Sequence, residues 1–155
     1  MSNWNFEPDS GSFELSAGVD VGNPGAANLA AVLVIGKSNI TRVVVSKIVE
    51  RSGLRPVSES PEDGKRALSS VMPGTVILDG GADNCDCNHL YAYLSDQRRA
   101  SGGIVPRVIL LSTRNGTPDT LSLGPVVDAV VAKPITPENL QPVVDRLLET
   151  ARRSA

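Results

Sequence analysis

The sequence predicts an α/β domain, a doubly wound five-stranded parallel sheet in the order 2-1-3-4-5 with helices on both faces. Three observations lead there. From Leu29 onward, short apolar runs alternate with helix-length amphipathic ones, the signature of strand–helix–strand units. Each short run is apolar throughout, so neither face of the strand is left to water. The 155 residues match one ordinary domain with a core of its own. Right-handed crossovers leave few layouts for five such units, and 2-1-3-4-5 is the common one.

Residues 1–28 come first and stand apart. They are rich in Gly, Ser and Asn, carry acidic but no basic side chains, and show no sustained period of 3.6 or 2, which marks a flexible tail. The tail holds the only Trp and both Phe (Trp4, Phe6 and Phe13) close to Glu7, Asp9 and Glu14. Aromatics set among acids suit a short docking motif, for a partner or for the domain's own surface.

The domain is expected over 29–153. "AAVLVI" (30–35) is the first strand, and Ser38 caps a helix whose inner face carries Ile40, Val44, Ile48 and Val49 before Gly53 ends it. "LRPVSE" is a short second strand. Ser60 as cap, Pro61 at the first helical position and acids in the first turn open a second helix. "TVILD" (75–79) is the third strand, and "NHLYAYLSDQRRA" a helix with Leu90, Tyr93 and Leu94 on one side. "RVILLS" (107–112) is the fourth strand. The stretch "TRNGTPDTLSLGP" has room for only a turn or two of helix after Thr117 and Pro118, so the fourth helix is short or degenerate. "DAVVAKP" supplies the fifth strand and "TPENLQPVVDRLLETARR" a capped terminal helix.

A net charge of -2 gives no electrostatic reason to bind nucleic acid or an anionic membrane surface. No apolar run reaches the length that spans a bilayer, and no signal-peptide pattern is present. The two cysteines, at i and i+2, are badly placed for a disulfide. A cytoplasmic, reducing location is therefore expected, without nucleic-acid partners or membrane insertion.

In this strand order the crevice opens at the C-terminal ends of strands 1 and 3. Gly36, Lys37 and Ser38 follow strand 1, and Asp79, Gly80 and Gly81 stand at the end of strand 3. Strand 4 ends in Ser112 and Thr113, and strand 5 in Lys133 and Pro134. An aspartate, a hydroxyl and a lysine converging on one rim suit phosphoryl transfer to a carboxylate. That chemistry needs a nucleophile, a fixed cation and a hydroxyl to hydrogen-bond the new phosphate. Asp79, Lys133 and Ser112 would fill these roles, with Pro134 able to aim Lys133 through a cis bond.

With "VLVIGKSNITRVVVSKIVERSGLRPVSES", "VILD", "VILLST" and "AVVAKP" in this order and spacing, the chain resembles the receiver domain of bacterial two-component response regulators from Leu29 to about Arg153. The resemblance implies a flavodoxin-like receiver architecture. It matches Asp79 to the phosphoacceptor, Ser112 (with Thr113 beside it) to the switch hydroxyl, Lys133 to the phosphate-binding lysine, and Val130 to the switch position usually held by an aromatic. It also implies a histidine kinase or phosphotransfer protein and a downstream signalling protein as partners.

The chain departs from that pattern at the metal. The family's acidic pair, which helps hold Mg²⁺, is replaced by Gly36 and Lys37, so Mg²⁺ binding is expected to be weak and no other cofactor is expected. Lys37 is placed to reach towards Asp79 and fill the metal's volume. Gly81 falls where the family offers a backbone carbonyl to the metal, and Asp83 and Asp86 are the carboxylates available to replace the missing pair. Cys85, Cys87 and His89 have zinc-ligand chemistry but no second half-site, so a structural loop is the expectation. Val130 rules out an aromatic rotamer switch.

The resulting expectation is an atypical, stand-alone receiver-like protein in phosphorelay signalling, no output domain following its last helix. Phosphorylation at Asp79 would be weak or absent, and the protein would act through protein contacts rather than as an enzyme. The alternatives are a normally phosphorylated receiver using Asp83 and Asp86 for metal, and a flavodoxin-like domain that binds a metal or a small ligand such as a flavin or nucleotide.

Overall fold

The structure is a computed structural model that describes residues 28–154. The tail expected over 1–28, with Trp4, Phe6 and Phe13, lies outside the described residues except for Asn28, which opens the first strand. The elements follow the expected alternation: β1 (Asn28–Ile35), α1 (Asn39–Arg51), β2 (Arg55–Glu59), α2 (Gly64–Val71), β3 (Pro73–Asp79), α3 (Tyr91–Ala100), β4 (Arg107–Ser112), β5 (Ala129–Ala132) and α4 (Pro137–Ser154). The five strands form one parallel sheet in the order β2-β1-β3-β4-β5.

Side chains alternate across this sheet and both faces are covered. Val32, Val34, Ile77, Ile109 and Leu111 pack with Val45, Ile48 and Val49 of α1 and with Leu140, Val144 and Leu148 of α4. On the other face Leu33, Ile35, Val76, Leu78 and Leu110 meet Leu68 of α2 and Leu90 and Leu94 at α3. Ser38 caps α1 as expected, its hydroxyl accepting from the Thr41 N–H at 3.2 Å. Thr136 caps the start of α4, accepting from the Asn139 N–H at 3.2 Å while the Asn139 side chain accepts from the Thr136 N–H at 2.9 Å.

Two expectations are corrected. The inner face of α1 is Val45, Ile48 and Val49, whereas Ile40 and Val44 are 77% and 42% exposed. The run Val43-Val44-Val45 offers an apolar residue to every direction of the turn, so the sheet rather than the sequence selects which one points in. The second helix does not begin at a Ser60 cap: Pro61–Asp63 form a 3₁₀ turn first, and the Ser60 hydroxyl meets the Asp63 carboxylate at 3.3 Å instead of a backbone N–H. The fourth helix is degenerate, as expected: between β4 and β5 the described residues form only turns. Thr117 to Leu123 make isolated turn bonds, Leu121 N–H to Thr117 O and Leu123 N–H to Pro118 O, both at 3.0 Å.

The α1 register makes a direct prediction. Ile48→Ala, at a buried position on the inner face of α1, should lose about 2–5 kcal/mol of stability. Ile40→Ala should change it by no more than about 0.5 kcal/mol. Urea denaturation of the two variants checks the contrast.

Candidate functional site

The strand ends bring Asp79, Ser112 and Lys133 together. Asp79 closes β3 and is only 3% exposed, so its carboxylate needs partners that replace water. It has two: Oδ1 accepts from the Lys133 ammonium at 2.6 Å and from the Gly81 N–H at 3.0 Å. Lys133 reaches it from just beyond β5 because the Lys133 N–H donates to the Ser112 carbonyl at 2.8 Å, fixing the strand end. The Lys133–Pro134 peptide bond is cis. Ser112, fully buried at the end of β4, accepts at Oγ from the Arg114 N–H at 2.9 Å and from Asn84 Nδ2 at 3.0 Å.

Asn84 is the residue that sequence reasoning missed. Besides donating to Ser112, its Oδ1 accepts from the Thr113 N–H at 3.0 Å and from the Thr113 hydroxyl at 3.3 Å. One amide thus clips the loop after β3 to the end of β4. Its backbone sits at φ 60, the left-handed region that Asn tolerates better than most side chains. Asn within "GGADN" is the only trace of this in the sequence.

The positions that depart from the family pattern are now placed. Gly36 packs directly on Asp79: a Cβ there would lie 2.7 Å from the Asp79 Cβ and 3.3 Å from Oδ2. Lys37 does not turn to Asp79 as anticipated. Its ammonium lies 3.6 Å from Asp86 Oδ1 and its side chain is 62% exposed, because Lys133 already holds the carboxylate that Lys37 would have sought. Gly81, at φ 73, offers its carbonyl to the Asn84 N–H at 3.3 Å, and the Asp86 carboxylate covers it so closely that a Cβ on Gly81 would sit 2.1 Å from Asp86 Oδ2. Asp83 is exposed. Val130 is half-buried against the cluster that holds Leu90 and Leu94.

The Cys/His group is divided. Cys87 is buried, its Sγ 3.5 Å from the Asp79 carbonyl and 4.0 Å from that of Ile35. Burial, reinforced by the Asp79 and Asp86 carboxylates, pushes its thiol up to about 12. Cys85 is exposed, and His89 turns to the 3₁₀ turn before α2, with Nε2 2.9 Å from the Pro61 carbonyl. Among the described residues no three His, Cys, Asp or Glu side chains gather to hold a metal ion, and no helix is long and apolar enough to cross a membrane.

A five-stranded sheet in this order with these strand ends defines the class of fold, and solved structures agree. A CheY-like response regulator receiver domain protein from Methanospirillum hungatei matches with a TM-score of 0.64 at 15% identity, over 81% of this chain and 98% of its own. The receiver domain of a signal transduction histidine kinase from Syntrophus aciditrophicus matches with a TM-score of 0.64 at 24% identity, over 81% and 94%. A putative pilus assembly-related protein from Burkholderia pseudomallei matches with a TM-score of 0.60 at 17% identity, over 85% and 96%. The chain therefore has the receiver fold. No family model and no curated protein matches its sequence.

Two measurements check this geometry. Asn84→Ala removes the clip and leaves the buried Ser112 hydroxyl short of a donor, which should cost about 1–3 kcal/mol and speed amide exchange at Thr113. Iodoacetamide on the native protein at pH 8 should alkylate Cys85 and spare Cys87, both reacting once the chain is unfolded. The raised Cys87 thiol also sets a sign: its contribution to stability is present below the unfolded value of 9.0 and is lost as pH rises towards about 12.

Proposed function

We propose that this chain is an atypical receiver-like signalling protein that works through protein contacts, with phosphorylation at Asp79 weak or absent. The observation that carries this reading is the Asp79 site. A buried carboxylate, a lysine and a hydroxyl share one rim, as phosphoryl transfer to a carboxylate requires. Yet Oδ1 is engaged by Lys133 and Gly81, and Gly36 rests on the Asp79 Cβ.

The same residues fit Mg²⁺ poorly. That ion demands near-octahedral oxygen ligands, whereas position 36 has no side chain and position 37 brings an ammonium. Asp86 is beside that ammonium, and the Gly81 carbonyl accepts from Asn84. The proposal needs no metal. The Asn84 clip supports it further, because it engages the Ser112 and Thr113 hydroxyls within the loop and leaves less for a phosphoryl group to reorganise.

The partners in this reading are a histidine kinase or phosphotransfer protein, which the chain contacts or competes for, and a downstream signalling protein. Ile40, Val43 and Val44 are exposed on α1, and Ile40 and Val44 with Pro134 and Ile135 border a hollow of about 220 Å³ beside Lys133. This apolar strip next to the Asp79 rim supports docking of the apolar face of a kinase or phosphotransfer helix.

Incubation with acetyl phosphate and Mg²⁺, followed by intact-mass measurement, tests the proposal. The expected result is no adduct or a substoichiometric one. A stoichiometric adduct that disappears in Asp79→Asn would overturn it and favour a phosphorylated receiver.

A further inference from the structure

The end of the sheet opposite Asp79 has a charge and shape that the proposed function does not use. Helices of this fold run antiparallel to the strands, so their C-termini and the strand N-termini share one end. Arginine is concentrated there: Arg51 closes α1, Arg98 and Arg99 close α3, Arg152 lies in the last turn of α4, and Arg55 and Arg107 open β2 and β4. Asp128 is shared by Arg98 and Arg107, and Asp96 pairs with Arg99, so these three arginines and two aspartates keep one net positive charge. The buried Arg107 Nε has no partner among the described residues.

Two hollows flank the last turn of α3. One, of about 280 Å³, is lined by Ser95, Arg98, Arg99, Gly103, Pro125 and Val126. The other, of about 80 Å³, is bordered by Met72, Pro73, Ala100 and Pro106. A cavity of roughly 150 Å³ suffices for a benzene ring, so an aromatic side chain fits the first and not the second.

Residues 1–27 join the domain at this same end, the Asn28 N–H donating to the Met72 carbonyl at 2.8 Å. They carry Glu7, Asp9, Glu14 and Asp20, none of the chain's 15 basic side chains, and all three Trp and Phe residues. At about 3.3 Å per residue, even the stretch from Phe13 to Asn28 is long enough to cross a domain of this size.

We propose that residues 1–27 fold back across the C-terminal end of α3. An aromatic of "WNFEPD" seats in the hollow between Arg99 and Pro125, and Glu7 and Asp9 lie against Arg98 and Arg99. Three independent features point the same way: opposite charge, a hollow of ring size, and the point of attachment. The guanidinium beside a ring adds a cation–π contact. The proposal does not rest on the reading of Asp79, which lies at the other end of the sheet.

Trp4, the only tryptophan, reports the contact in the intact chain. Its emission should lie at shorter wavelength, and its acrylamide quenching should be several-fold weaker, than in a synthetic peptide of residues 1–27. The double variant Ser95→Glu, Arg99→Glu should return both readings to the peptide values with unchanged far-UV circular dichroism. Glu7→Lys with Asp9→Lys, which leaves the folded domain untouched, should do the same. Arg114→Glu, a charge reversal at the opposite end, should change neither reading. A wild-type Trp4 as accessible as in the peptide would overturn the proposal. Protection that survives the tail and hollow variants, or that Arg114→Glu abolishes, would equally sink this placement.

Discussion

The ion pair between Asp79 and Lys133 is the constraint on which the rest of the molecule depends. A carboxylate 3% exposed at the end of a central strand survives there only with a cation and further donors in contact. Lys133 comes from two strands away, so the pair holds only while β3, β4 and β5 keep register, with Asp79 beside Leu111 and Ser112 beside Ala132. Leaving either charge buried alone costs about 3–5 kcal/mol, a large share of a small domain's stability. Sheet order and rim chemistry are thus one requirement rather than scaffold and decoration.

The loop after β3 is shaped by the same carboxylate. Gly81 bends at φ 73 to aim its N–H at Oδ1, Cys87 fills the space beneath with its Sγ towards the Asp79 carbonyl, and Asn84 ties the loop to β4. Asp86, which a metal-binding reading would bring to the rim, instead covers Gly81 and faces Lys37. Electrostatics here is closed on itself: Asp79 with Lys133, Asp86 with Lys37, and the Ser112 and Thr113 hydroxyls with Asn84.

Much of this was legible in the sequence, and the rest was hidden for identifiable reasons. Four apolar runs, the short mixed strand "LRPVSE" and their spacing pointed to the strand order, because parallel strands covered on both faces leave little else. The convergence of Asp79, Ser112 and Lys133 followed from that order. The inner face of α1 was misjudged because three consecutive valines carry no period. The partner of Lys37 was misjudged because spacing places a Cα near a carboxylate without saying which way the side chain turns. Asn84 went unnoticed because its partners lie on β4, far along the chain, so no local pattern records them.

Gly36 has a consequence of another kind. Without a side chain at position 36, the backbone after β1 has settled against Asp79, to within 2.7 Å of where a Cβ would be. An acidic residue placed there would meet the Asp79 side chain before it met any ligand, and accommodating it would mean moving β1 away from β3. Position 36 therefore works as a steric gauge on the β1–β3 spacing: any side chain larger than hydrogen is read out as a displacement of Asp79 and, through it, of Lys133.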